Sequence, residues 1–123
     1  MGTDDLAAAA RIARAAIGIG TEVPARTYPV RRLDRDASYV LVLLGLPGAP
    51  GWIAAVDVAA QDVMTWAANP SGASTVPSAD EALDLVWQPG SASRSPLYPL
   101  HRMNTADGPR FLDIASKLYK DLK

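Results

Sequence analysis

The spacing of apolar residues at the start of the chain predicts an amphipathic helix. Across residues 6–17, apolar side chains recur at intervals of three and four positions, whereas Arg11 and Arg14 fall outside that stripe. Thr3 is a residue type that caps the start of helices, and Gly18 is one that ends them. We therefore expect a helix of about 14 residues, whose small alanines let it lie close against a sheet.

Three later stretches of the first half have the composition of β-strands. Residues 30–35 mix three arginines with one aspartate just after a proline, which predicts an edge strand because charges and proline suit a sheet edge. Residues 39–44 are apolar at every position and predict a central strand that is buried on both faces. Residues 52–58 follow a loop rich in glycine and proline and predict a further strand.

The segment 56–67 fits two different structures. Its apolar residues match a helical period, and alanine is a strong helix former. A hairpin is favoured, with a turn at 57–61 and a returning strand at 63–67, because the preceding strand needs an antiparallel partner. At the level of the sequence, both alternatives remain open.

The second half repeats the order of helix and strands. Ser78 and Glu81 have the spacing of a capping box and predict a short helix that ends before Pro89. Residues 98–105 and 110–114 flank an Asp-Gly pair, which predicts a hairpin. The last segment, 117–122, is expected to be a short strand or a helix.

This order of elements predicts an α+β fold. A helix followed by an antiparallel meander occurs twice, which indicates two similar halves, about residues 1–69 and 76–123, that share one core. A length of 123 residues is that of one ordinary domain. We therefore expect a single domain spanning residues 1–123.

The segment Tyr-Val-Leu-Val at residues 39–42, a glycine-rich turn and Gly-Trp-Ile-Ala-Ala-Val-Asp at residues 51–57 resemble the repeat of PepSY-domain proteins. The second half is similar to the same plan, with a helix from Ser78 and strands at 97–103, 110–113 and 117–119. This resemblance implies a cystatin-like fold, in which a helix lies on a curled antiparallel sheet. It also implies a regulatory or peptidase-modulating role.

The charge of the chain excludes one class of partner and suggests a mode of self-association. The formal net charge is −1, which is too low for a nucleic-acid binder that neutralises phosphates with a basic surface. Residues 37–93 contain five acidic residues and no lysine or arginine, whereas residues 94–123 contain six basic and three acidic residues. The acidic and basic segments are expected to attract each other within the fold or in a homodimer, unless both are merely solvated faces.

The N-terminal residues do not have the pattern of a secretory signal peptide. Two acids follow Thr3 where a secretory signal has positive charge, and arginines interrupt the apolar residues that follow. No segment is long and apolar enough to predict a membrane span. We expect a cytoplasmic protein, or an exported one if a signal peptide has been removed. Its many alanines and its preference for arginine over lysine are typical of GC-rich bacterial genomes.

The residue types needed for catalysis are scarce. The chain has no cysteine and one histidine, His101, so thiolate chemistry and paired-histidine sites are excluded. The acid pairs Asp4/Asp5 and Asp80/Glu81 lie in the first turns of predicted helices, where capping explains them. No serine lies in a nucleophile motif, and no acids have metal-ligand spacing. We therefore expect no catalytic residues, no metal, no cofactor and no enzymatic activity.

The aromatic residues of two proline-rich segments are the candidate binding residues. Trp52 and Tyr98 are candidates for exposed aromatic anchors, and Arg31 and Arg32 for the rim of the same site. His101 is a further candidate binding residue. The other aromatic residues, such as Trp66 and Trp87, are expected to pack against the sheet. The predicted function is a protein- or peptide-binding regulatory module that acts through strand edges or aromatic loops. The alternatives are a self-associating structural protein and, less favoured, a small-ligand-binding protein or enzyme built around His101.

Overall fold

A computed structural model describes residues 2–46, 49–78 and 82–122, which form a mixed α+β fold with one helix and an eight-stranded sheet. The strand order is β4-β3-β2-β1-β5-β6-β7-β8. The elements are α1 (Thr3–Ile17), β1 (Ala25–Arg32), β2 (Ser38–Leu46), β3 (Ala49–Asp57), β4 (Asp62–Ala68), β5 (Leu85–Trp87), β6 (Leu100–Thr105), β7 (Gly108–Leu112) and β8 (Leu118–Tyr119).

The chain divides into two compact units. The first unit comprises Met1–Pro29 and Ser38–Ser74, and the second comprises Val30–Ala37 and Thr75–Lys123. The strand β1 therefore contributes its first five residues to the first unit and its last three to the second. A single domain with halves at 1–69 and 76–123 stays a prediction.

The predicted N-terminal helix is confirmed as α1. Its N-cap is Gly2, one residue before the expected Thr3, and the backbone N–H of Gly2 donates to Oδ2 of Asp5 at 3.4 Å. At the other end, Gly18 adopts the left-handed conformation with φ 85° and donates its N–H to the carbonyl oxygen of Arg14 at 2.8 Å. A glycine takes this conformation without steric cost, which explains why the helix ends there.

The helix α1 buries its small residues against the strands β2, β3 and β4. Ala9 and Ala13 are fully buried, whereas Ala16, also on the predicted stripe, is exposed. Arg14 is partly buried, and its Nη2 donates to the carbonyl oxygen of Val23 at 2.6 Å. The core of this unit contains Ala9, Ala13, Val40, Val42, Leu44, Ala54 and Val56.

The three strands β2, β3 and β4 form the antiparallel meander that the sequence favours over a helix. The β2 strand is buried at residues 39–44, as its apolar run predicts. The turn between β3 and β4 occupies residues 58–61, and the pairs Val56↔Val63 and Asp57↔Asp62 close the hairpin. The helical alternative for residues 56–67 is therefore wrong.

The prediction of an edge strand at residues 30–35 is also wrong. The strand β1 ends at Arg32, residues 33–36 bend away, and β1 lies between β2 and β5 in the sheet order. Its pairing with β5 is parallel and begins only at Arg31↔Val86, after Pro29. A proline in an interior strand is tolerated here because the pairing with β5 does not use its missing N–H.

The predicted second helix is wrong over its described part. Residues 82–84 are irregular, and Leu85, Val86 and Trp87 form the buried strand β5, which pairs with Leu100 and His101 of β6. The rest of the predicted capping box, residues 79–81, lies outside the described residues. Since α1 is the one helix among the residues that the structure describes, the cystatin-like arrangement of two helix-plus-meander halves is not confirmed.

The predicted hairpin of the second unit is confirmed as β6 and β7. The pair Thr105↔Gly108 closes a two-residue turn at Ala106 and Asp107. The last segment forms the short strand β8, which pairs with β7. Behind these strands, Val86, Leu100 and Leu122 form a small core against Phe111 and Tyr119.

The Asp113 carboxylate fixes the segment between β7 and β8. Its Oδ1 accepts hydrogen bonds from the N–H groups of Ala115 at 2.8 Å and Lys117 at 2.9 Å, and its Oδ2 accepts one from the Tyr119 hydroxyl at 2.9 Å. Partial burial acts to raise the pKa of Asp113, but these donors outweigh it and hold the pKa below its ordinary value. The hydrogen bond that the Tyr119 hydroxyl donates to Asp113 raises the pKa of that hydroxyl.

This arrangement predicts a pH-dependent contribution to stability. Because the pKa of Asp113 is lowered in the folded state, its contribution is complete above the unfolded pKa and is lost as pH falls through the folded pKa. We expect Tyr119→Phe to lower the free energy of unfolding at neutral pH, and the difference from the native chain to shrink below about pH 4. Urea unfolding of both chains across that range measures it, and a difference that is constant with pH would contradict the assignment.

Candidate binding edge

The strand β4 is the terminal strand of the sheet in the first unit. It pairs with β3 on one side, and no strand follows it in the order of the described residues. A terminal strand leaves the backbone N–H and C=O groups of one side without strand partners. These groups can bind a further extended chain.

Natural edge strands usually carry features that prevent pairing, and β4 has few of them. It is seven residues long, contains no lysine or proline, and has one charged residue, Asp62. Its one irregularity is a bulge, which leaves Met64 without a register partner in β3 while Thr65 to Ala68 pair regularly. Two large apolar side chains are exposed on it: Met64 at 37% and Trp66 at 44%.

The register with β3 assigns the β4 side chains to two faces. Directly paired residues of antiparallel strands point to the same face of a sheet. Trp66 is paired with Ala54, whose side chain belongs to the core beneath α1. Trp66 therefore projects on the helix side of the sheet, whereas Asp62, paired with Asp57, projects on the opposite side.

The Asp57–Asp62 pair places two carboxylates opposite each other at the start of β4. Oδ1 of Asp57 accepts a hydrogen bond from the Ala60 N–H at 3.1 Å, and Oδ1 of Asp62 accepts one from the Val63 N–H at 2.9 Å. Within the described ranges, neither carboxylate forms an ion pair. Like charges directly opposite each other destabilise a pair of strands, so this end of the hairpin favours a cation.

Trp52 was a candidate for an exposed aromatic anchor, and the structure places it in β3. It is partly buried, is paired with Ala68 of β4, and packs against the apolar core beneath α1. Trp52 therefore contributes to the core of the first unit. The exposed aromatic residue of this edge is Trp66.

The two arginine candidates are held by contacts within the second unit. Nη2 of Arg31 lies 2.8 Å from Oδ1 of Asp84, in an ion pair exposed on both sides. Arg32 lies over the Trp87 ring at 5.1 Å and donates two hydrogen bonds to Asp34, at 3.0 and 2.7 Å. The hydrogen bond from Arg32 lowers the pKa of Asp34 below its ordinary value.

His101 is buried in β6, with 1% of its surface exposed. Its Nδ1 accepts a hydrogen bond from the backbone N–H of Asp84 at 3.0 Å, so the neutral ring carries its proton on Nε2. Since Asp84 also binds Arg31, the structure connects two of the candidate residues through one aspartate. The position of His101 is that of a core residue.

Tyr98 is 46% exposed and borders a cleft of about 260 Å³ in the second unit. Ile114, 47% exposed, lies on the same cleft, together with Arg94 and Asp113. Three donors already occupy the Asp113 oxygens. The cleft thus offers mainly apolar contacts.

The sequence pattern gave no reason to single out Met64 and Trp66. In β4, Val63 and Thr65 are half-buried and Met64, Trp66 and Ala67 are exposed, whereas the sequence predicts that Trp66 packs against the sheet. The absence of lysine and proline from this strand is a signal visible in the sequence. This absence indicates an edge that can pair with another chain only when the strand is known to be terminal.

Comparisons with known proteins identify no relative: no protein-family model, no curated protein and no solved structure matches this chain. In the described part of the chain, no three His, Asp or Glu side chains are grouped as metal ligands. No helix found there is long and apolar enough to cross a membrane.

Proposed function

We propose that the protein is a binding module that takes up an extended segment of a partner protein as an additional strand beside β4. The open edge of β4 carries this proposal: the seven-residue strand is paired with β3 on one side, and it has one charge and two exposed large apolar side chains. In strand addition, backbone hydrogen bonds provide affinity and side-chain contacts provide specificity.

Trp66 is the side chain that gives the edge its selectivity. A tryptophan at an interface contributes a large apolar surface and loses little side-chain entropy on binding. Because it is 44% exposed in the free protein, it has surface left for a partner to cover. Met64, at the bulge, adds a flexible apolar contact beside it.

The substitution Trp66→Lys tests this surface. A lysine removes the apolar contact and adds a charge that opposes strand pairing at edges, so we expect peptide affinity to fall at least about ten-fold. Displayed random seven-residue peptides are selected on the native chain, and the affinities of selected peptides are measured for both chains. Ala106→Lys is the matched control, because it adds the same charge at an exposed position of the β6–β7 turn in the second unit.

Hydrogen exchange of the β4 amides locates the bound segment. Slower exchange at β4 on addition of a selected peptide supports strand addition, whereas protection confined to residues 92–100 places the peptide in the second unit and contradicts the proposal. Protection of β4 that rises with protein concentration, without peptide, identifies a second copy as the occupant and likewise overturns it. The proposal is also contradicted if selected peptides bind the Trp66→Lys chain as tightly as the native chain.

A further inference from the structure

We propose that the segment taken up by β4 is basic and places a lysine or arginine against Asp62 and Asp57, an inference that rests on the proposed strand addition. The occupant is an extended peptide segment with a cationic residue on one face and an apolar residue on the other. The observations that carry this are the open edge, the register of the hairpin and the distribution of charge along the chain.

The register brings two negative charges to one end of the edge. Asp57 and Asp62 are directly paired, and each carboxylate holds one backbone N–H through Oδ1, at 3.1 and 2.9 Å. Each therefore retains acceptor capacity for a further donor. Residues 37–93, which include the whole meander, contain no lysine or arginine that could neutralise the pair.

A strand added beside β4 brings its own side chains next to this pair. Directly opposed side chains of neighbouring strands have Cβ atoms about 5 Å apart. A residue of the incoming strand opposite Asp62 therefore continues the row that Asp57 and Asp62 begin. A lysine or arginine side chain is long enough to contact both carboxylates, whereas an acidic residue there would be a third like charge in the row.

The bulge at Met64 separates the charged and apolar contacts. Asp62 and Trp66 are four residues apart in β4, a spacing that in a regular strand puts two side chains on one face. The extra residue moves them to opposite faces, as their partners Asp57 and Ala54 show. The segment that fits this edge thus has its basic residue on the side away from α1 and its apolar residue on the side of Trp66.

Three labelled peptides test the charge preference. Each is a seven-residue strand of alternating threonine and valine, with lysine, threonine or glutamate at both ends, so that either strand direction places an end residue near Asp62. We expect the lysine peptide to bind about five-fold more tightly than the threonine peptide, and the glutamate peptide to bind most weakly, at about 10 mM salt. The differences should shrink at about 300 mM salt, where the charges are screened.

The double substitution Asp57→Asn and Asp62→Asn is expected to abolish the preference for lysine while the threonine peptide binds as before. Asparagine keeps the side-chain oxygen that accepts the Ala60 and Val63 N–H groups, so the turn is retained. The control is Asp107→Asn, which makes the same type of substitution, with the loss of one negative charge, in the exposed β6–β7 turn of the second unit.

The outcomes separate this inference from the proposed function. Equal affinity for all three peptides, with loss of binding in Trp66→Lys, overturns the charge preference and leaves strand addition standing. A preference for lysine that survives in the double variant also overturns it. Failure of all three peptides, and of every selected peptide, to protect β4 overturns both.

Discussion

Replacing Gly45 with alanine is expected to lower the free energy of unfolding by about 3 kcal/mol and the melting temperature by roughly 10 °C. Gly45 lies at a bulge of the β2–β3 hairpin with φ 135°, a backbone conformation that residues with a side chain rarely adopt. A Cβ atom there would lie 2.6 Å from the backbone nitrogen of Gly51, which belongs to the paired strand and has no flexible side chain to move.

The cost of Gly45→Ala extends to the connection that follows α1. The backbone N–H of Gly45 donates to the carbonyl oxygen of Pro24 at 2.9 Å. A backbone shift that relieves the Cβ contact therefore also strains this hydrogen bond. Thermal and urea unfolding measure the combined effect.

The matched control is Gly51→Ala, across the same hairpin. A Cβ at Gly51 meets only the carbonyl oxygen of Leu44, at 3.9 Å, an ordinary van der Waals distance. We expect its free energy of unfolding to stay within about 0.5 kcal/mol of the native value. Equal effects at the two positions would show that the close approach at Gly45 does not determine the stability of the hairpin.

The second large effect is expected at His101. His101→Ala removes a fully buried ring and leaves the Asp84 N–H without its acceptor, and the two losses together should cost about 3 kcal/mol. Since His101 is paired with Leu85 of β5, we expect this strand to loosen first.

Two further variants separate packing from hydrogen bonding at this position. His101→Phe keeps the ring volume and removes the acceptor, whereas His101→Asn keeps an oxygen near the place of Nδ1 and removes part of the volume. We expect fast exchange of the Asp84 amide in the alanine and phenylalanine variants and slow exchange in the asparagine variant. Slow exchange in all three would mean that the hydrogen bond to Nδ1 is not what protects this amide.

The comparison of sequence and structure shows which signals are local. The helix α1 was predictable because its caps and its apolar stripe all lie within residues 2–18. The β6–β7 hairpin was predictable because the Asp-Gly pair at residues 107–108 indicates a turn, and the two strands that it joins are adjacent in the chain. In both elements, the residues that make the hydrogen bonds are near neighbours in the chain.

The errors occur where the partner of a segment is distant in sequence. Leu85, Val86 and Trp87 satisfy a short helical pattern, yet they pair with β1 and β6, which no local signal specifies. The arginines of β1 suggested an edge strand, but Arg31 and Arg32 are accommodated by Asp84, Asp34 and the ring of Trp87.

The candidate binding edge depends on both kinds of information. The amino-acid order by itself favoured a returning strand at residues 63–67 that contains no lysine or proline, and it placed acids without basic neighbours on either side of the preceding turn. Only the tertiary structure decided that this strand is the last of its sheet, that a bulge puts Trp66 and Asp62 on opposite faces, and that Asp57 faces Asp62. The reason is that a residue's own chemistry sets its local conformation, whereas strand order and register are set by hydrogen bonds and packing between segments that the chain brings together only on folding.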